Sequence, residues 1–216
     1  QFIALAEHTG LIKNLTDWVI ESAMRICHEA QSRGDAFPIA VNLSARNLRD
    51  ETLLRKVRLL HDNWNVARGL LEFEITESTV MEDPEFALRV LHDLRQEGVS
   101  LYIDDFGTGY SSLSYLKRLP LDILKIDKSF IRGLPDDPHD AAIARAIIAL
   151  GRSMQLTIIA EGVENQAQQR FLAAEGCEQI QGYIVSLPLP PEEFAAAFLR
   201  IALSDLSDGT GAKPSL

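Results

Sequence analysis

Cysteine is scarce and long apolar runs are missing. The two cysteines, Cys27 and Cys177, lie far apart and without CxxC spacing. They propose neither a zinc site nor a disulfide framework, and a reducing cytoplasm is the expected setting. The most apolar stretches, AAIARAIIAL (141–150) and FAAAFLRIAL (194–203), are interrupted by Arg145 and Arg200 and are too short to span a bilayer. Positive charge is also in deficit: 21 Lys and Arg against 31 Asp and Glu give a formal net charge of −10. Polymeric nucleic acid needs a basic footprint and is a poor partner for such a chain. A small anion suits it only if metal ions supply the missing positive charge. No signal peptide is seen, and the chain begins with Gln1 rather than Met, so it reads as a piece of something longer.

What is present is ordinary globular composition, with 46% hydrophobic and 24% charged residues in 216, enough for one large α/β domain. An opening helical segment, FIALAEH, precedes a long amphipathic helix over 11–33 that Gly34 closes. Strands are expected at 38–44, 70–76, 99–104, 121–127, 156–161 and 178–183. Helices are expected near 50–63, from Pro84 to the stop at Gly98, near 112–117, at 138–152, at 165–175 before Gly176, and from near Pro191. The tail, 204–216, reads as flexible. Helices that start after Pro or Asx and stop at Gly follow known capping chemistry. Strands alternating with helices indicate βαβ units and a parallel sheet. Six strands suffice for a doubly wound sheet, whereas a closed (β/α)₈ barrel needs eight. A barrel reading therefore leaves one or two strands absent from this chain.

The polar residues favour the barrel. Each strand ends in a polar or ionisable group: Asn42, Glu74 with Glu77, Asp104 with Asp105, Lys125 with Asp127, Glu161, and Gln181. An open sheet concentrates its site at one switch point, but a barrel gathers all C-terminal strand ends on one face. Each residue has a plainer alternative. Asn42 and Asp127 could cap local turns, Glu161 before Gly162 could be a turn, and DDFGTG could be a glycine turn. Lys125, between Leu124 and Ile126, would be a costly buried cation without carboxylates nearby. Oxygen ligands with no His or Cys among them point to a hard cation, Mg²⁺ or Mn²⁺, with Ca²⁺ also possible. Two such ions form the usual clamp for phosphodiester hydrolysis. The five histidines lie on predicted helices or loops and receive no role.

FIALAEHTGLI, VNLSARNL, LEFEITES, YIDDFGTGYSSLSYLKRLPLDILKID, IIAEGVE and QGYIVSLPLP together resemble the EAL domain, the bacterial cyclic-di-GMP phosphodiesterase family, over nearly the whole chain. The resemblance implies a modified TIM barrel over 1–203, two Mg²⁺ or Mn²⁺ ions with Ca²⁺ inhibitory, and cyclic-di-GMP opened to linear pGpG. By position, Asn42, Glu74 and Asp104 would ligate one metal, and Asp104, Asp105 and Glu161 the other. Lys125 would hold the nucleophilic water and Glu161 would be the general base. Gln181 would bind substrate. Glu77 would fix the DDFGTG loop, in which Gly107 and Gly109 give backbone freedom. Asp127 and Glu164 would support the ligands from behind.

The family's naming triplet, Glu-Ala-Leu, belongs upstream of FIALAEHTGLI, before this chain begins. Leu187 stands where the family commonly carries a basic residue. These departures keep a non-catalytic cyclic-di-GMP receptor as the alternative. They also imply little turnover from the isolated 216 residues, with open sheet edges inviting aggregation. The resemblance further implies a homodimer and an upstream sensor or GGDEF domain.

Overall fold

The computed structural model describes residues 2–109, 113–190 and 193–194. The tail 204–216 and the helix expected from near Pro191, beyond Phe194, lie outside the described residues. The elements alternate in chain order. They are α1 (Phe2–Thr9), α2 (Ile12–Arg33), β1 (Ile39–Asn42), α3 (Ala45–Leu48), α4 (Leu53–Trp64), β2 (Leu71–Thr76), α5 (Glu77–Glu82) and α6 (Pro84–Gln96). There follow β3 (Ser100–Phe106), α7 (Leu113–Leu116), β4 (Ile123–Ile126), a 3₁₀ turn (Lys128–Phe130), α8 (Pro138–Ser153), β5 (Thr157–Glu161), α9 (Gln166–Glu175) and β6 (Gln179–Gln181).

Helix ends follow the expected chemistry. Gly34 closes α2 in the left-handed conformation, φ 84°, with its N–H on the Ala30 and Gln31 carbonyls. Asp83 accepts from the Phe86 N–H ahead of Pro84, and Asn165 and Gln168 form a capping box on α9. Two short helices were not foreseen. β1 stops at Asn42 because Ser44 caps α3 through a reciprocal box with Asn47. Thr76 accepts from the Thr79 N–H and turns β2 directly into α5. Local side-chain oxygens thus end both strands within a few residues.

The chain divides into two compact units. The first comprises Gln1–Lys125 with Gly151–Leu156. In it β1, β2 and β3 pair in parallel, with Asn42 opposite Glu74 and Glu74 opposite Tyr102. Asp122, at the entrance to β4, donates its N–H to the Leu101 carbonyl, and its carboxylate accepts the Leu101 N–H. Leu71, Phe73, Ile75, Leu101 and Ile103 point away from the polar face and are buried, as are Ile20 and Met24 of α2. Each such side chain contributes about 1.5–3 kcal/mol. The second unit comprises Ile126–Leu150 with Thr157–Leu216. In it β5 and β6 pair in parallel, with Glu161 opposite Gln181.

Candidate active site

Strand pleating puts alternate residues on one face. Asn42, Glu72, Glu74, Tyr102 and Asp104 therefore share the polar face of β1, β2 and β3. Asn42 Nδ2 donates to Glu74 Oε2 at 3.2 Å. Lys125 Nζ donates to Glu74 Oε1 at 2.8 Å and lies 3.6 Å from Asp104 Oδ1. The Lys125 side chain is only 3% exposed. A desolvated ammonium is tolerated because two carboxylates face it.

β3 does not stop at the aspartates but runs through both of them to Phe106. Asp105 adopts φ 53°, and its N–H is bonded to the Asp104 carboxylate at 2.9 Å. Asp tolerates this left-handed backbone better than most residues. It breaks the strict alternation, and an oxygen of each aspartate lies within 4.8 Å of the other. Asn42, Glu74, Asp104 and Asp105 thus offer only oxygen donors, the ligand type of a hard divalent cation. The adjacent carboxylates of Asp104 and Asp105 belong to an acidic cluster that could hold such an ion.

Behind it, Glu77 is buried at the start of α5 and its Oε2 accepts the Gly107 N–H at 3.0 Å. Gly107 has φ 96° and needs glycine's backbone. Gly109 has a different requirement from the backbone freedom expected of it: its φ is not left-handed, but a Cβ there would stand 2.9 Å from Glu77 Oε1. Space, and not conformation, selects glycine at 109. Among the described residues Glu77 Oε1 has no hydrogen-bond partner.

The chain's sequence did not flag Glu72 and Tyr102. The Tyr102 hydroxyl donates to Glu72 Oε2, and both side chains are buried. Burial is the main cause that pushes the Glu72 carboxyl up to about 7; the Tyr102 hydrogen bond opposes it, and Glu74 and Asp122 add to the rise. Burial and Glu72 together push the Tyr102 hydroxyl above the ordinary tyrosine range. The available signal was parity: residue 72 shares a face with Glu74, and residue 102 with Asp104. Cys27 and Cys177 are free thiols, each pushed up to about 11 chiefly by burial, and both are unreactive in that form.

The second unit carries Asp127, Glu161, Glu164 and Gln181. Asp127 accepts the Ser129 N–H at 2.9 Å and so caps the 3₁₀ turn. Glu161 closes β5. The segment after it is tied to the segment after β6, because Val163 donates to the Gln181 carbonyl and Ile184 donates to the Val163 carbonyl, both at 3.1 Å. Gly162 has φ 67° and lies against the Lys128 side chain; Gly182 lies so close to Val163 that a Cβ would stand 2.2 Å from its carbonyl oxygen. Gln168, also unflagged by sequence, is buried, accepts the Glu164 N–H at 2.8 Å and donates to the Ile131 carbonyl at 3.2 Å. Gln181 and Leu187 are exposed.

Comparison with known proteins identifies the family and the fold. The EAL domain profile matches residues 1–188. The chain is 47% identical over 198 residues to the bifunctional diguanylate cyclase/cyclic di-GMP phosphodiesterase MucR of Pseudomonas aeruginosa, covering 91% of this chain and 29% of MucR. It is 45% identical to the cyclic di-GMP phosphodiesterase NbdA of the same organism, covering 92% of this chain and 26% of NbdA. The chain therefore spans less than a third of these curated relatives. The solved structure of the PaMucR phosphodiesterase in complex with c-di-GMP is similar at TM-score 0.86 and 47% identity, covering 90% of this chain and 79% of that one. The α/β alternation is thus that of a TIM-like barrel, of which the described residues carry six strands. This chain belongs to the EAL domain family.

Proposed function

We propose that this EAL domain hydrolyses cyclic-di-GMP to linear pGpG with two divalent cations, Mg²⁺ or Mn²⁺. The observation that carries the reading is the Glu74–Lys125–Asp104 constellation: a buried amine between two carboxylates, among oxygen donors alone. The similarity to named cyclic di-GMP phosphodiesterases adds support.

Asn42, Glu74 and Asp104 would hold one ion, and Asp104, Asp105 and Glu161 the other. Bound ions at such a site supply a more acidic water and neutralise phosphodiester charge. Lys125, fixed by Glu74, would orient the attacking water. Glu161 takes the proton from that water. The water oxygen bonds to phosphorus, one ring P–O bond breaks, and the departing sugar oxygen takes a proton from solvent. Gln181 lies in the substrate-binding part, and Glu77 steadies the Gly107 loop. Asp127 and Glu164 would support the metal ligands from behind. In the intact protein the domain pairs as a homodimer and answers to an upstream sensor or GGDEF domain; the bifunctional name of MucR supports the latter. Among the described residues no helix is long and apolar enough to cross a membrane.

The test is product analysis with the intact protein, cyclic-di-GMP and Mn²⁺. Formation of pGpG, lost by about 100-fold or more in Asp104→Ala and Glu161→Ala, supports the enzyme. Undiminished turnover in both variants overturns the metal assignment. Binding of cyclic-di-GMP in Mn²⁺ with no product indicates a receptor instead. Ca²⁺ is expected to support binding without turnover.

A further inference from the structure

Two carboxylates project from β2 onto the same face, Glu72 and Glu74, about 6.6 Å apart along the strand at its usual rise. Their surroundings differ. Glu74 has Asn42 and Lys125 as partners. Glu72 has the Tyr102 hydroxyl. Tyr102 is the residue opposite Glu74 on β3, so its side chain starts beside Glu74 and reaches down the face to the lower carboxylate. Tyr102 is 6% exposed and Glu72 8%. The hydrogen-bonded pair is buried on the same face as Glu74 and Asp104, two residues earlier along each strand's polar row.

We propose that Tyr102 sets the metal preference of the site by withholding Glu72 from its ligand set. The proposal rests on the metal-dependent reading above. A glutamate side chain is long enough to turn toward the layer above it, and a buried carboxyl that loses the Tyr102 hydroxyl is left with an unmet acceptor that a nearby cation would satisfy. The nearest task for it is cation binding. An added carboxylate favours Ca²⁺ over Mn²⁺ or Mg²⁺, because Ca²⁺ accepts six to eight oxygens at flexible geometry while the smaller ion demands a compact octahedron and keeps its waters. A Tyr102 that pins Glu72 downward keeps the donor count low and the site tuned to the smaller ion. Tyr102 is in this sense a positioning residue that acts through Glu72.

The experiment measures Mn²⁺ and Ca²⁺ affinities of the intact protein by competition calorimetry, with a thermal melt of each metal-free variant. Tyr102→Phe is expected to raise the ratio of Ca²⁺ to Mn²⁺ affinity about tenfold, the scale on which residues behind the ligands tune a metal. Glu72→Gln, which keeps an acceptor for the hydroxyl but no charge, is expected to leave the ratio within about twofold of wild type. The double variant Tyr102→Phe/Glu72→Gln is expected to return to it, because no charge is left to stray. A ratio unchanged in Tyr102→Phe, with only the melting temperature lowered, overturns the proposal and leaves the pair a packing feature. A double variant as altered as Tyr102→Phe alone also overturns it. Wild-type protein that binds neither ion overturns the metal reading and this proposal together, an outcome distinct from the other two.

Discussion

In the first unit Glu74, Asp104 and Lys125 hold one another through side-chain charge, with Lys125 Nζ 2.8 Å from one carboxylate and 3.6 Å from the other. In the second unit Glu161 and Gln181 are placed by main chain: Val163, just after β5, exchanges backbone bonds with Gln181 at the end of β6 and with Ile184 beyond it, and Gly182 admits that contact by having no Cβ. The first arrangement depends on which charged groups are present. The second depends on what fits. A charge change should therefore damage the first and leave the second untouched, and an added methyl group should do the reverse.

Lys125→Met gives the largest expected effect. It leaves Glu74 and Asp104 facing each other with their shared cation removed. Breaking such a buried pair costs about 3–5 kcal/mol, read by denaturant unfolding of the metal-free protein. Added Mn²⁺ should raise the melting temperature of this variant more than that of wild type, since the ion replaces the missing positive charge. Next comes Gly182→Ala, whose Cβ would meet the Val163 carbonyl oxygen at 2.2 Å. Neither partner is a flexible side-chain end, so about 3 kcal/mol is expected, with no recovery on adding Mn²⁺. Equal responses of the two variants to Mn²⁺ would dissolve the contrast between the units.

Gly109→Ala is milder, about 1–2 kcal/mol, because its neighbour is the Glu77 carboxylate. The Gly107 N–H bond to Glu77 should loosen with it, visible as faster amide exchange at Gly107. A gain of stability would show that space does not select glycine there.

The smallest effect concerns pH, away from both sites. His61 of α4 is half-buried, its Nε2 has no hydrogen-bond partner among the described residues, and burial, followed by smaller effects of which Arg68 adds to the lowering, holds it below the ordinary histidine value. The folded protein therefore binds a proton less readily than the unfolded chain. Stability should fall as pH drops through about 6.5 and below. His61→Phe should flatten that slope; an unchanged slope would assign the acid sensitivity elsewhere.

Much of the architecture was legible because glycines and prolines punctuate it. Gly34, Pro84, Gly98 and Gly176 delimit helices in the sequence and in the structure alike. The strand ends Glu74, Asp104 and Lys125 were legible from chemistry, since a lysine in ILKI is untenable without neighbouring carboxylates. What was not legible depended on register and on short-range hydrogen bonds. Nothing in LYIDD says that Tyr102 reaches Glu72, because that requires knowing which residue of β2 stands beside β3. The capping box that cuts β1 short and the direct turn of β2 into α5 span too few residues to form a periodic pattern. Gly109 was read for its backbone, since a Cβ clash with Glu77, 32 positions earlier, has no local signature.

The proposed cation site predicts that Glu74, held between Asn42 and Lys125, contributes a ligand charge to a bound divalent ion. The most direct measurement is the Mn²⁺-dependent melting temperature of the intact protein beside that of Glu74→Gln, which keeps the shape and removes one ligand charge. A rise of several degrees is expected in wild type and little or none in Glu74→Gln. An equal rise in both proteins would contradict that ligand role.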